Sequence, residues 1–417
     1  MMPPRRSQKN CDQLICGFLH RSGVWVEENQ RLLRLWQIVA TSCFLCTNVA
    51  QSIALFLARH DTDKVFECAS VLTFCGMGML KQISLSRNSK HWQTILKLMT
   101  KLETEQFEER NFNNELEYDS DGNQDIGNNI SDFVFQYTNN FKFIKVYLSR
   151  LYIATLIVFV LSPFIEFGIR ILSTEAFSIY PHILPIWSPL DNIAFFGYLL
   201  TIVCEVIAAT FCVAVHISFD LTSVGIMIFT CGQFELLKFY SERIGGRGKS
   251  YFLSEKRDAR AMYRIKMCHY MHGISNKIIK DLGNLTRSIL GVYFAIATLT
   301  LCSVAVQLKT VSLSVTQLIS LFQYMFATLL QLFLYCRYGN SVFHGSSVGM
   351  GEGPNVSALW CLSPRVQKHI MMLNIGIMKP KRLMAGPFYT LDMPSFIQIL
   401  RASYSYYAVL GHNSEQI

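Results

Sequence analysis

Apolar runs of about twenty residues recur along the chain, and no other feature constrains its fold as tightly. Inside a hydrocarbon layer about 30 Å thick, the N–H and C=O groups of such a run have no water to bond. The α-helix satisfies them within a single segment. Charged residues make up only 16% of the 417 and hydrophobic ones 51%, against roughly 25% charged in a soluble domain. The spacing predicts spans over 35–58, 65–85, 146–171, 190–240, 288–308 and 315–338, and a closing helix from Ser395. The fold class expected is therefore an all-α polytopic membrane protein with seven transmembrane helices and the lipid bilayer as its immediate partner.

The segments between the spans are uneven. Residues 1–34 form a polar arm, with a short helix expected near 24–33. Two long polar loops cover 87–140 and 241–285. In the first, Trp92, Ile95, Leu98, Met99 and Leu102 recur at helical spacing and are expected to carry the second span into the cytosol. The acidic, Asn-rich stretch 111–132 reads as disordered loop. Residues 172–189, with three prolines and the aromatics Tyr180 and Trp187, suit a structured cap at the membrane surface. The region 190–240 would span roughly 75 Å as one helix, so it either breaks, near Gly225, or projects past the bilayer. Residues 339–378 form a Gly-rich linker and an amphipathic piece from Pro364, and 379–417 hold the last helix and a short tail.

Of the 38 Lys and Arg, 33 lie in segments 1–34, 81–150, 238–287 and 337–382; four lie in the alternate loops, and Arg401 sits in the final helix. Positive charge collects on the cytoplasmic side, so the N-terminus is expected inside and, after seven spans, the C-terminus outside. That orientation argues against a G-protein-coupled receptor. No Walker, kinase, zinc-protease or Ser-His-Asp constellation stands out, so no enzyme is expected. Thirteen cysteines lie mostly in or beside apolar runs, in a pattern that reads neither as a zinc site nor as a disulfide framework. No metal, cofactor or nucleic-acid partner is expected. The first 30 residues lack the apolar core of a signal peptide, so the first span is expected to serve as the insertion signal.

The final helix carries two stripes. Phe396, Ile399, Leu400, Ser403, Tyr407 and Leu410 share one face; Gln398, Ala402, Ser405, Val409 and His412 share another, at steps of 4, 3, 4 and 3. The second stripe is small or polar. It suits either a pore lining or close packing against a neighbouring helix. Glu166 and Glu205 fall inside expected spans, where an acid is a functional candidate by default. Glu166 is placed to pair with Arg170 one turn on, and Glu205 reads as a structural hydrogen-bond partner.

The C-terminal residues resemble a known family. Tyr335-Cys336 with Gly339-Asn340, then Trp360 with Leu362-Ser363-Pro364-Arg365, are followed by Lys379-Pro380, Leu383, Ala385-Gly386, Phe388, Leu391, Phe396, Leu400 and Ser403-Tyr404-Ser405-Tyr406. Their order and spacing, over about 75 residues, resemble the closing pattern of insect odorant receptors. The resemblance implies a tetrameric odorant-gated cation channel in an olfactory neuron's plasma membrane. In it a tuning subunit for a small volatile odorant joins a co-receptor subunit, and each subunit lends its seventh helix to the pore. The short loop between spans four and five fits the tuning subunit. Val409 matches the family's hydrophobic gate position, with His412 at the outer mouth. The pocket implied lies in the outer bundle, where span directions select Leu72, Phe74, Phe159, Ser162, Tyr198, Leu199, Ile202, Gln317, Leu321 and Tyr324. Phe195 and Phe196 fall in the same region. Tyr324 stands out because a phenol can orient an otherwise apolar ligand. A gustatory-type homotetrameric channel and a metabotropic seven-helix receptor are the alternatives.

Overall fold

A computed structural model of the chain describes residues 11–25, 30–60, 62–116, 124–172, 181–189, 195–246, 253–310, 315–357 and 359–413. Within these, the side chains of 62–64, 66–67, 107–116, 124–130, 170, 172, 306, 309–310, 316–317 and 409–413 lie outside the description. The described elements run α1 (Cys11–Arg21), α2 (Arg31–Leu57), α3 (Thr62–Arg87), α4 (Ser89–Leu116), α5 (Gln124–Leu172), α6 (Phe195–Ser241), α7 (Glu255–Thr310), α8 (Val315–Ser347), α9 (Glu352–Val356), α10 (Pro364–Ile377), β1 (Met384–Ala385), β2 (Tyr389–Thr390) and α11 (Met393–Asn413). Among the described residues, six helices (α2, α3 and α5 to α8) are long and apolar enough to cross a membrane. The seventh expected span corresponds to α11.

α6 is the central post. From Phe211 to Thr230 every residue except Ala214 is buried. A helix apolar on all sides needs neighbours on all sides, and α1, α2, α3, α5, α7 and α8 supply them. The helix does not break at Gly225. That glycine is where Ile15 of α1 and Phe141 of α5 close on it. Its 47 residues run roughly 70 Å at 1.5 Å per residue, so it projects well beyond a bilayer. α7 does the same, joining the fifth expected span to the preceding basic segment as one helix of 56 residues.

Other boundaries differ from expectation. The N-terminal helix lies at Cys11–Arg21 rather than 24–33; Cys11, Ile15 and Leu19, one turn apart, are all buried. Residues 91–109 do not continue the second span. A break at Asn88 starts a separate helix, α4, which buries Trp92, Ile95, Met99 and Leu102 completely. Residues 111–116 and 124–132, expected as disordered loop, are the helical ends of α4 and α5. Aromatic contacts further along hold α5 against α6, Phe133 on Phe239 and Tyr137 on Phe229, so the helix extends despite its polar start. The Gly-rich linker is partly helical: α8 runs to Ser347 and α9 follows.

Two solvents divide the molecule. In the cytosolic part, burying each large apolar side chain stabilises the fold by about 1.5–3 kcal/mol, and Trp92, Ile95, Met99 and Leu102 are fully removed from water. In the membrane part lipid is as apolar as leucine, so apolar burial gives little drive. Packing there is looser: only 6% of the apolar stretch of α5 is buried inside the chain, against 44% for α6.

The C-terminal motif residues build the junction beneath α11. β1 and β2 pair antiparallel, Met384 opposite Thr390 and Ala385 opposite Tyr389. Gly386 turns the hairpin at φ +65°, and its backbone lies directly on Gly291 of α7. Gly386 N–H donates to the Arg287 carbonyl at 2.7 Å, and Arg287 Nε returns a bond to the Gly386 carbonyl at 3.0 Å. Leu391 packs on Gly339 of α8 so closely that a side chain at 339 would collide with it. The Tyr-Cys-x-x-Gly-Asn and Ala-Gly-x-Phe-x-x-Leu segments thus meet in space.

Asp392 caps α11. Its Oδ1 accepts the Ser395 N–H at 2.9 Å, and its Oδ2 accepts the Thr390 hydroxyl. Partial burial pushes this carboxyl up, but the bonds from Thr390 and Ser395, with the Arg382 charge, outweigh it and hold it below its usual range. Its stabilising contribution is therefore present above the unfolded carboxylate value, about 3.9, and is lost as pH falls through the lowered folded value. Asp392→Ala is expected to destabilise the purified protein by about 1 kcal/mol. The gap in melting temperature should stay constant from pH 8 to 5 and close only at lower pH. A gap already shrinking between pH 8 and 6 would contradict this cap.

Candidate ligand site and pore helix

Five helices converge on one carboxylate. Asp220 of α6 is 1% exposed. Its Oδ1 accepts from Lys81 Nζ of α3 and from the Tyr335 hydroxyl of α8, both at 2.6 Å. Its Oδ2 accepts from the Tyr152 hydroxyl of α5 at 2.6 Å and from Gln331 Nε2 of α8 at 2.8 Å. Gln331 and Tyr335 are four apart, as are His216 and Asp220, so each pair shares a helix face. From α7, Tyr293 offers its ring to Lys81 at 5.7 Å, and Phe219 does so at 5.5 Å. Lys81 also donates to His216 Nδ1 at 3.0 Å, and His216 Nε2 lies 3.2 Å from the Phe74 carbonyl. A carbonyl only accepts and an ammonium only donates. The ring between them is therefore a neutral imidazole carrying its proton on Nε2.

Aromatic side chains lie on this polar floor. Phe74 stacks on His216 with centroids 4.3 Å apart, and Tyr324 meets Phe74 edge-on at 6.3 Å. The Tyr324 hydroxyl points at the Ser70 carbonyl, 3.5 Å away. Along the seam of α5 and α8, Ser320 reaches Ser162 at 3.3 Å and Gln323 reaches Thr155 at 3.4 Å. Phe74, Ser162 and Tyr324, expected at the pocket, are thus drawn to one region by α3, α5 and α8. Leu72, Phe159, Ile202 and Leu321 are half-buried. Tyr198 turns to the cap instead, donating to the Pro181 carbonyl at 2.8 Å. Leu199, Phe195 and Phe196 face outward, 47%, 69% and 75% exposed. The Gln317 side chain lies outside the described residues. A separate cavity of about 200 Å³ opens between α2 and α3, lined by Thr41, Phe44, Leu45, Met79, Gln82, Ile83 and Ser86. None of the expected pocket residues reaches it.

At the other end of this region Glu205 is fully buried. It accepts the N–H groups of Ile183 and Leu184 at 2.8 and 3.1 Å and faces His182 Nδ1 at 2.8 Å. It is a structural partner, as its position in the span implied. The described part of the cap, 181–189, is ordered by these bonds. The Arg170 side chain, the proposed mate of Glu166, lies outside the described residues.

α11 packs on α7 and α8 with one face. Ile399 and Ser403 are buried, Phe396, Leu400 and Tyr407 are half-buried, and Phe396 meets Phe333 of α8 at 5.8 Å. On the other stripe Gln398 and Ser405 are exposed and Ala402 is half-buried. The side chains of Val409 and His412 lie outside the described residues.

Sequence reasoning missed the polar node. It counted Lys81 among the cytoplasmic charges, and the structure corrects this: Lys81 is fully buried. Asp220 carried the same signal as Glu166 and Glu205, an acid inside an apolar run, and was not singled out. Removing either member of the pair leaves an uncompensated buried charge, at a cost of about 3–5 kcal/mol. Lys81→Met and Asp220→Leu alone are each expected to abolish mature protein at the cell surface. The double variant should regain part of it, because the lone charge is gone. Surface biotinylation reads the difference, and equal loss in all three would contradict a charge-pair role.

A family model described as 7tm Odorant receptor matches residues 61–404. Odorant receptor 13a of Drosophila melanogaster is 27% identical over 219 residues, covering 48% of this chain and 50% of that protein. Odorant receptor Or2 of Anopheles gambiae is 24% identical over 186 residues, covering 43% and 49%. The chain thus spans about half the length of the curated relatives it matches. The solved structure of the insect olfactory receptor OR5 from Machilis hrabei in complex with eugenol superposes with a TM-score of 0.75, covering 96% of this chain and 97% of that one. At 16% identity that likeness establishes the fold. A family-model match over most of the chain and a shared fold agree: this chain belongs to the 7tm odorant receptor family.

Proposed function

We propose that this chain is the odorant-specific subunit of a non-selective cation channel, assembled with a co-receptor subunit in the plasma membrane of olfactory sensory neurons. Its N-terminus lies in the cytosol and its C-terminus outside. The observation that carries this reading is the face of α11 turned away from its own bundle. Gln398 and Ser405 are exposed while Ile399 and Ser403 are buried, so the small, polar stripe is left for an axis shared with other subunits. Val409 and His412 continue that stripe. A ring of valines at Val409 closes the pore by excluding water, and His412 rings the outer mouth.

Assembly has support in the cytosolic part. Trp360, Met371, Met372, Ile375, Met378 and Phe388 are all more than half exposed, Phe388 at 88%. In water such a patch marks an interaction surface, and it lies next to the junction that positions α11. Ligand class follows from the wall chemistry. Phe74, Tyr324 and Phe159, with Ser162 as a hydroxyl partner, suit a small, largely apolar, aromatic-sized volatile. The related OR5 holds eugenol, a molecule of that kind. The odorant displaces helices of the outer bundle, and α8, which contacts both Phe74 through Tyr324 and α11 through Phe333, carries the displacement to the gate.

Co-expression with a co-receptor subunit, recorded against a panel of phenylpropanoids, terpenes, esters and alcohols, tests this. Inward cation current is expected within the panel only when both subunits are present, and Val409→Ala should raise basal current or agonist sensitivity. Current from this chain alone would contradict the heteromer, and unchanged gating in Val409→Ala would count against the gate.

A further inference from the structure

We propose that the cavity between α2 and α3 binds a membrane sterol by its hydroxyl end, on the pair formed by Gln82 and Thr41. This site is separate from the outer-bundle pocket and independent of the odorant reading. Its assignment to the cytosolic leaflet follows the orientation proposed above.

The cavity holds about 200 Å³ and is built from one face of each helix. Thr41, Phe44 and Leu45 of α2 stand at i, i+3 and i+4; Met79, Gln82, Ile83 and Ser86 of α3 stand at i, i+3, i+4 and i+7. Phe44 is the rear wall. It is fully buried, lies against Gly78 of α3 and meets Phe211 of α6 edge-on, with centroids 6.1 Å apart. Leu45 and Ile83 flank the mouth, 51% and 50% exposed, so the cavity opens toward lipid. The segment below sets its height. Trp36 is exposed on α2, as an aromatic at a membrane–water boundary is, and Thr41 lies five residues further in, roughly 8 Å along the axis. The N-terminal arm ties the two helix ends beneath. The Trp25 indole N–H donates to the Leu85 carbonyl at 3.2 Å, and Gln37 Nε2 donates to the Val24 carbonyl at 2.9 Å. The cavity thus lies in the leaflet on the N-terminal side, just inside its polar boundary.

Its polar groups select one kind of occupant. Gln82 Nε2 donates to the Thr41 hydroxyl oxygen at 3.0 Å. Thr155, Thr222, Thr298 and Thr328 each give their own proton to the carbonyl four residues back. Ser86 does the same, donating to the Gln82 backbone carbonyl at 2.8 Å. Thr41 makes no such bond among the described residues. Its proton and the Gln82 side-chain oxygen are therefore left as one donor and one acceptor, and turning the amide over exchanges the two roles without removing either. A single hydroxyl, which both donates and accepts, matches that pair. No charged residue is among those lining the cavity, so a phosphate or carboxylate head would lose its water without gaining a counter-charge. A glycerol ester would bring carbonyls that need further donors. The volume is below the roughly 300–1,000 Å³ that encloses a whole drug-sized ligand, so one end of the molecule is held. The rest lies along Leu45, Val49 and Ile53, which recur four apart on α2 and are exposed. A neutral lipid with one hydroxyl and a stiff apolar body fits both parts, and stiffness limits the entropy lost on binding. Those are the properties of a sterol.

A photoactivatable, clickable sterol with a free hydroxyl tests this in membranes of cells expressing the full chain. After irradiation the chain is captured by an affinity tag and the labelled peptides are identified by mass spectrometry. Label is expected on α2 and α3 around Leu45 and Ile83. It should saturate, and excess unlabelled sterol should displace it while the sterol's acetate ester does not. Thr41→Val and Gln82→Met nearly keep side-chain size but remove the hydroxyl's partners. At equal expression each is expected to lower this label about tenfold. Leu45→Trp fills the mouth from an exposed position and is expected to lower it as well, which keeps the site testable if a polar variant fails to fold. Ile165→Val, on the exposed side of α5, is expected to leave it unchanged. Label spread evenly over the lipid-facing helices, or undiminished by Leu45→Trp, would overturn the site. Equal displacement by the acetate ester, or full label in folded Thr41→Val and Gln82→Met, would overturn recognition of the hydroxyl and reduce the cavity to one filled by any lipid chain. The label is read without agonist or current, so failure of the odorant reading and failure of this site are separately visible.

Discussion

An ionised carboxylate at the centre of an apolar bundle has no water to solvate it, and the arrangement of the membrane helices follows from how Asp220 is satisfied. Two oxygens take four donors, from α3, α5 and α8. Each donor must reach within about 3 Å, so three helices are fixed in both rotation and height against α6. Lys81 balances the charge and lies over the rings of Phe219 and Tyr293, bringing α7 into the same site. Where apolar packing gives little drive, a polar centre of this kind supplies register. The ion pair itself is weak evidence for net stability. Its role is to admit only one way of stacking these five helices.

The cytosolic part obeys ordinary aqueous rules. α1 and α4 bury complete apolar stripes against the projecting ends of α5, α6 and α7, and the hairpin of β1 and β2 wedges between α7 and α8 under α11. A rigid base and a loosely packed membrane part suit a receptor in which ligand entry and gating move helices on the lipid side without unfolding the whole. The cap at residues 181–189 and the node on Asp220 lie at different heights along α6. Both use one buried carboxylate of α6 to hold a neighbour, one a loop and the other a set of helices.

Much of this was legible in the chain. The helical period of Trp92, Ile95, Met99 and Leu102 reports burial because one face of a cytosolic helix must leave water. The bounds of α10 follow from Pro364 at its start and the end of its apolar stripe. The apolar runs counted the spans, and the distribution of Lys and Arg set their expected orientation. What stayed hidden depends on distant partners. A lysine at the end of an apolar run looks the same whether it snorkels to the surface or turns inward; Lys81 turns inward because of a carboxylate 139 positions away. The donors of Asp220 likewise lie 68 to 139 positions from it. Periodicity also selects a face without saying what the face meets. Leu199 was assigned to the pocket on spacing that serves lipid contact equally well, and the structure turns it outward. Polar composition misled at 111–116 and 124–132, where helix persists because its continuation is packed.

The central claim is that the stripe of α11 facing away from its own bundle lines a conducting pore. Cysteines placed singly at Gln398, Ala402 and Ser405, and at Phe396, Leu400 and Tyr407, test it with a positively charged methanethiosulfonate reagent applied to the odorant-opened heteromer. Current should fall irreversibly in the first three variants and hold in the second three. Block confined to Phe396, Leu400 and Tyr407, or absent from all six, would contradict the account.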